Sequence, residues 1–158
     1  MKRPWNRTDL PVYSIASRHK DRYNLNVCTY VAGASMEPKR MSVAIYKNTK
    51  TLELAEREKM IVLQWMSKDQ INLIKHLGFK SGNSFDKLSY LGKKGLITEW
   101  KNFKVLQDAL AYVLLRQYDC MDAGDHVLFL YDVVAFLNNR DAEGLTLDQL
   151  RTKKIIRG

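Results

Sequence analysis

The longest apolar run in this chain, Val127 to Leu137, carries Asp132 in its middle. A helix that crosses a bilayer needs about 20 consecutive apolar residues, so none is expected and no membrane partner is expected either. The other apolar residues fall in short runs rich in β-branched and aromatic side chains. Val12 to Arg18, Asn24 to Val31, Met41 to Tyr46, Met60 to Met66, Leu110 to Gln117 and Val127 to Leu137 each read as a strand. Ala123-Gly124-Asp125 is a turn signal between the last two and predicts a hairpin. Ala32 to Ser35, with Glu37-Pro38, reads as a break.

Helical signals are few and short. Thr51 predicts an N-cap for a helix from Leu52 to about Glu58. Ser67-Lys68-Asp69-Gln70 matches a capping box and predicts a helix to Leu77, ended by Gly78. Residues 80–104 read as loop-rich, and Leu145 to Ile156 as helical or frayed. No linker or repeat divides the chain, so one domain over 1–158 is expected: a mainly β barrel with a few short helices.

At 18.4 kDa, such a domain is expected to expose about 8,200 Å² when folded. Its net charge of +9 is uneven: residues 1–50 hold 10 Lys/Arg against 3 Asp/Glu, and residues 101–158 hold 8 of each. A basic surface attracts phosphates and nucleotides, or serves solubility alone. Cys28 and Cys120 make neither a disulfide framework nor a zinc spacing. Free thiols and the lack of an apolar leader after Met1 predict a cytoplasmic protein.

Several chemistries lack their signatures. There is no GxGxxG, no GxxxxGK[ST], no GxSxG, and no metal-like grouping of His19, His76 and His126. An enzyme built on this chain would leave the hard step to a cofactor.

Six segments, taken in order, resemble a known family. They are Asn24-Leu25-Asn26-Val27-Cys28-Thr29-Tyr30, then Ser35-Met36-Glu37-Pro38-Lys39-Arg40 leading into Met41-Ser42-Val43-Ala44-Ile45, then Asn48-Thr49-Lys50-Thr51. Ser81-Gly82 with Phe85-Asp86-Lys87-Leu88 follows, and Gly124-Asp125-His126 heads the last apolar strand. Over roughly residues 12–138 the chain resembles the flavin reductase-like domain family, which includes flavoredoxins and NAD(P)H:flavin oxidoreductases. The resemblance implies a Greek-key split β-barrel that binds FMN, a homodimer, and NAD(P)H as a co-substrate. Two positions depart from the pattern: Tyr30 stands where relatives often carry Trp, and Leu88 replaces a Phe.

By the same resemblance, Asn24, Val27, Cys28, Thr29 and Tyr30 line the flavin ring, with Ser35 in the turn that follows. Thr49, Thr51, Ser81, Gly82, Asn83 and Lys87 are the expected phosphate and ring-edge contacts, since a phosphate seeks lysines, hydroxyls and open backbone amides. His126 is the catalytic candidate. Plainer uses stand beside these: Lys87 as a surface lysine, Thr51 as a cap, residues 81–83 as a turn, and His126 as a histidine bonded to a backbone carbonyl. Cys28 reads as a small buried hydrophobe, His76 as a surface residue at a helix end, and Trp65, Phe129 and Phe136 as core. The expected function is an FMN-dependent oxidoreductase carrying electrons from NAD(P)H or a small carrier to flavin, iron or a protein. A non-catalytic electron carrier of the same fold is the alternative. Nucleic-acid binding rests on charge alone, with no recognition motif behind it, and ranks last.

Overall fold

The computed structural model describes residues 3–157. Its strands are β1 (Tyr13–His19), β2 (Arg22–Cys28), β3 (Val31–Ser35), β4 (Arg40–Tyr46), β5 (Met60–Trp65), β6 (Ile97–Trp100), β7 (Phe103–Leu106), β8 (Ala111–Asp122) and β9 (His126–Asn138). Its α-helices are α1 (Lys50–Glu58), α2 (Ile74–Leu77), α3 (Lys87–Gly92) and α4 (Leu147–Thr152).

Seven strands form one antiparallel sheet in the order β2-β1-β5-β8-β9-β4-β3. The two outer strands, β2 and β3, follow each other in sequence. The sheet must therefore curl until its edges meet. At the link between them, Ala44 N–H on β4 donates to the Tyr30 carbonyl at 2.9 Å, one step beyond the Val31↔Val43 pair of the β3–β4 ladder, and Cys28 Sγ at the end of β2 lies 3.5 Å from the Ala44 carbonyl oxygen. The result is the mainly β fold with a few short helices expected from the sequence.

Strand alternation sorts the core into two parts. Ile61 and Leu63 on β5 face inward with Tyr13, Ile15, Val43, Ile45, Leu115, Phe129 and Tyr131, drawn in all from five strands, and α1 contributes Leu52 and Ala55. Val62, between them, faces outward and joins Ala16, Leu25, Leu114, Ile74, Leu77, Leu91 and Leu150 under the helices and β7. That is why the β5 run reads as apolar on both faces.

Five readings are corrected. Val31–Ser35 is a strand where Ala32 to Ser35 read as a break, because β4 pairs with it from Val31↔Val43 to Gly33↔Met41 and, after a register shift, at Ser35↔Arg40. Thr49, two residues before the expected cap, closes α1: its Oγ1 accepts from Leu52 N–H at 3.2 Å. The Ser67 capping box is present, but it opens a 3₁₀ turn, Lys68–Leu73, before α2. Residues 80–104 hold α3 and most of the β6–β7 hairpin. Phe136 is not core; it is 70% exposed, whereas Phe129 is fully buried.

Candidate functional site

Two adjoining clefts lie where β2, β4, the start of α1 and the loop after α2 come together. The larger, about 390 Å³, is lined by Asn24, Asn26, Val27, Tyr46, Asn48, Thr49, Lys50, Thr51, Gly78, Phe79, Lys80, Ser81, Gly82 and Lys87. The smaller, about 130 Å³, is lined by Val27, Cys28, Thr29, Tyr30, Ala44, Tyr46 and His126 among others. They share Asn26, Val27 and Tyr46. Eleven of the thirteen residues expected from the sequence thus fall on one continuous surface. Ser35 and Asn83 do not line it. Ser35 sits at the far end of β3, paired with Arg40, and the Asn83 N–H turns back to Ser81 Oγ at 3.2 Å.

Lys87 is the unusual member. It is 3% exposed, and its Nζ donates to the Leu77 carbonyl at 2.6 Å. Burial, then the charge of Lys50, pushes its pKa down from 10.5 to about 8. An ammonium has three donors, so the Leu77 bond leaves two for another acceptor. A second positive element stands across the cleft. The first amides of a helix have no acceptor within it, and at α1 these belong to Lys50 and Thr51, both on the cleft wall. The dipole of α1 adds partial positive charge there.

Thr51 is fully buried and accepts from Asn24 Nδ2 at 2.9 Å, so it is neither cap nor surface hydroxyl. Gly82 approaches the same Asn24 so closely that no larger residue fits without movement. The smaller cleft differs in kind. His126, at the start of β9, places Nδ1 2.6 Å from Asp125 Oδ1, not on a backbone carbonyl as the plainer reading held. Its ring lies 5.2 Å from that of Tyr30 and 5.1 Å from that of Tyr46, and both tyrosines are more than half exposed. Cys28 is buried as expected, which raises its thiol pKa to about 11. It is inert as a nucleophile near neutrality.

A more voluminous cleft, about 790 Å³, lies at the opposite end of β9, beside Trp65, Tyr112, Phe136 and Arg140. The Arg140 guanidinium is already held by Asp69 at 2.9 Å. Nothing there gathers cations and open amides as the paired clefts do. No cluster of His, Cys, Asp and Glu suited to a metal occurs among the described residues.

The sequence profile described as "Flavin reductase like domain" matches residues 5–155. The chain belongs to that family. An uncharacterized protein from Pyrococcus abyssi is 28% identical over 130 residues, covering 82% of this chain and 74% of its own. Among solved structures, an FMN-binding protein from Thermus thermophilus superposes with a TM-score of 0.76 at 21% identity, covering 88% of this chain and 76% of that one. The flavin reductase PheA2 superposes at 0.75 with 21% identity, covering 90% and 87%. At such identities these two show a shared flavin reductase-like fold.

Sequence reasoning missed Asn26, Tyr46, Asn48, Lys50, Phe79 and Lys80 on the cleft walls. A signal existed for Lys50, which stands between two selected threonines, and for Asn26, which shares the face of Asn24 on β2 by alternation. Nothing local marks Phe79 or Lys80.

Proposed function

We propose that this protein is an FMN-binding oxidoreductase of the flavin reductase type, passing electrons from NAD(P)H or a small carrier to flavin, iron or a protein acceptor. The observation that carries this reading is Lys87. A buried ammonium with two spare donors, facing the open amides of α1 across one cleft, fits a phosphate dianion. Ser81 adds a hydroxyl to the same wall. The smaller cleft, walled by a strand and two tyrosines, fits the edge of a flat ring.

FMN would supply the hydride and one-electron chemistry that the side chains lack. The chain's own part is to bind, orient and protect. Lys87 and the α1 amides hold the anionic end. Asn24 is fixed by Thr51 and Gly82, which fixes the wall between them. His126 is anchored through Nδ1 to Asp125, so Nε2 is the nitrogen offered to a ligand.

A homodimer fits the same reading. The chain exposes 9,039 Å², more than the roughly 8,200 Å² of a compact globule this size. Val134, Phe136 and Leu137 on β9 are all exposed. A second copy covering them would bring the surface toward the usual value.

The test is visible absorbance of purified protein with and without FMN, followed by anaerobic addition of NADH or NADPH. A bound flavin spectrum that bleaches with one nucleotide supports the oxidoreductase. Bound flavin that never bleaches points to a carrier. Absence of flavin binding removes the proposal.

A further inference from the structure

The segment from Lys75 to Lys94 contains five lysines, no arginine and one acid, Asp86. Asp86 is engaged as the cap of α3, accepting from Ser89 N–H at 2.9 Å. Lys87 is buried at the cleft, and the other four lysines are exposed. Elsewhere Arg18, Arg22, Arg40, Lys47 and Arg140 each pair with a carboxylate. Among the described residues, Lys75, Lys80, Lys93 and Lys94 have no such partner.

Two of the four stand on aromatic faces instead. Lys80 Nζ is 4.2 Å from the Phe85 ring centre and Lys94 Nζ is 4.7 Å from that of Tyr90. The rings are packed together: His76 stacks on Tyr90 with centroids 4.4 Å apart, and Phe85 lies 5.5 Å from Tyr90. Partial burial, then Lys80, Lys94 and Lys75, holds the His76 imidazole below its ordinary pKa. The charges therefore converge on one small face. That face adjoins the larger cleft, whose wall includes Phe79 and Lys80.

Unpaired charge gathered in this way attracts its opposite over about 10 Å at 0.1 M salt. We propose that this lysine face docks an acidic electron-carrier protein, seating the carrier's carboxylate-rich rim at the mouth of the larger cleft. The carrier's part in electron transfer rests on the flavin reading of that cleft; the docking does not. Lysine suits a brief encounter. Its ammonium is a strongly hydrated point charge, whereas arginine forks onto carboxylate or phosphate through two bonds at once. Rim charges of this kind speed association more than they prolong the complex, and redox encounters use small, weak interfaces. A nucleic acid fits less well, because no guanidinium is present to fork onto phosphate. A membrane surface also fits less well. Phe79 is the one large exposed hydrophobic side chain in the segment, and interfacial binding scales with buried apolar area.

The experiment titrates a plant-type ferredoxin, an acidic carrier, against the full chain with and without FMN. Cytochrome c, a basic carrier, is the control. Ferredoxin is expected to bind at low salt and to weaken about tenfold on a tenfold rise in NaCl, and cytochrome c is not expected to bind. Lys75→Gln/Lys94→Gln should weaken ferredoxin about tenfold. Neither residue lines the cleft, so FMN affinity should change less than about threefold. Lys75→Glu/Lys94→Glu should lose ferredoxin and gain cytochrome c. Circular dichroism checks that both variants fold. Ferredoxin that fails to bind, or binds all three proteins alike, overturns the proposal. So does lysine-dependent binding confined to a single-stranded oligonucleotide or to phosphatidylserine vesicles. Ferredoxin that binds a chain unable to take up FMN keeps the docking surface and strikes only the flavin reading.

Discussion

Gly82 and Asn24 are locked together: a methyl group at Gly82 would stand 2.3 Å from Asn24 Oδ1 and 2.9 Å from its Cγ. Asn24 is buried, and its amide nitrogen is committed to Thr51. Gly82→Ala must therefore push the Asn24 side chain off Thr51. Stranding a buried amide costs about 1–3 kcal/mol. We expect a lower urea midpoint and weaker FMN binding together. An alanine variant that keeps both values would show that the loop simply yields.

Lys87 sets a pH dependence. Its folded pKa of about 8 lies below the ordinary 10.5, so below pH 8 the fold carries a buried charge that the unfolded chain hydrates. Between about 8 and 10.5 the unfolded state binds more protons, and stability rises with pH from this residue. Phosphate affinity moves the opposite way and declines as pH rises through 8, because the ammonium is lost. Lys87→Met should flatten both trends. Urea melts and FMN titrations at pH 7 and 10 read them out.

Thr49 carries two bonds, accepting from Leu52 N–H at 3.2 Å and donating to the Tyr46 carbonyl at 2.8 Å. Thr49→Ala should cost about 1 kcal/mol as a lost cap. Thr49→Ser keeps a hydroxyl in place and should recover most of that. Equal melting curves for the two variants would contradict the capping role.

Phe136→Asp tests the pairing of two copies. The side chain is 70% exposed in the single chain, so its loss should leave intrinsic stability within about 0.5 kcal/mol. Light scattering should report a shift from dimer toward monomer. A parent protein that is already monomeric at micromolar concentration would end the homodimer reading.

The elements that were legible are those whose signal is local. Six strands announced themselves through alternation or continuous apolar character, and the β8–β9 turn through Ala123-Gly124-Asp125. β3 was not legible because it is mostly exposed and rich in small residues, and only its register against β4 makes it a strand. The site followed the same division. Lys87 was selected by its Asp-Lys neighbourhood, but its burial under Leu77 depends on how α2 and α3 pack. Phe136 looked apolar enough for a core, yet whether an apolar residue on a strand meets protein or solvent is decided by what covers that face.

The link at Thr29–Tyr30 does more than shape the clefts. An open sheet ends in a row of unpaired backbone donors and acceptors, which invites a strand from a neighbouring molecule. Here β2 and β3 each pair on one side only, and the Ala44 bond to the Tyr30 carbonyl continues the β3–β4 ladder into the link between them. The outer side of β3 is such an edge, but it is only five residues long and broken by a register shift between Gly33 and Ser35, and both features discourage a visiting strand. A substitution that straightens it should first appear as clumping in solution, before any loss of ligand.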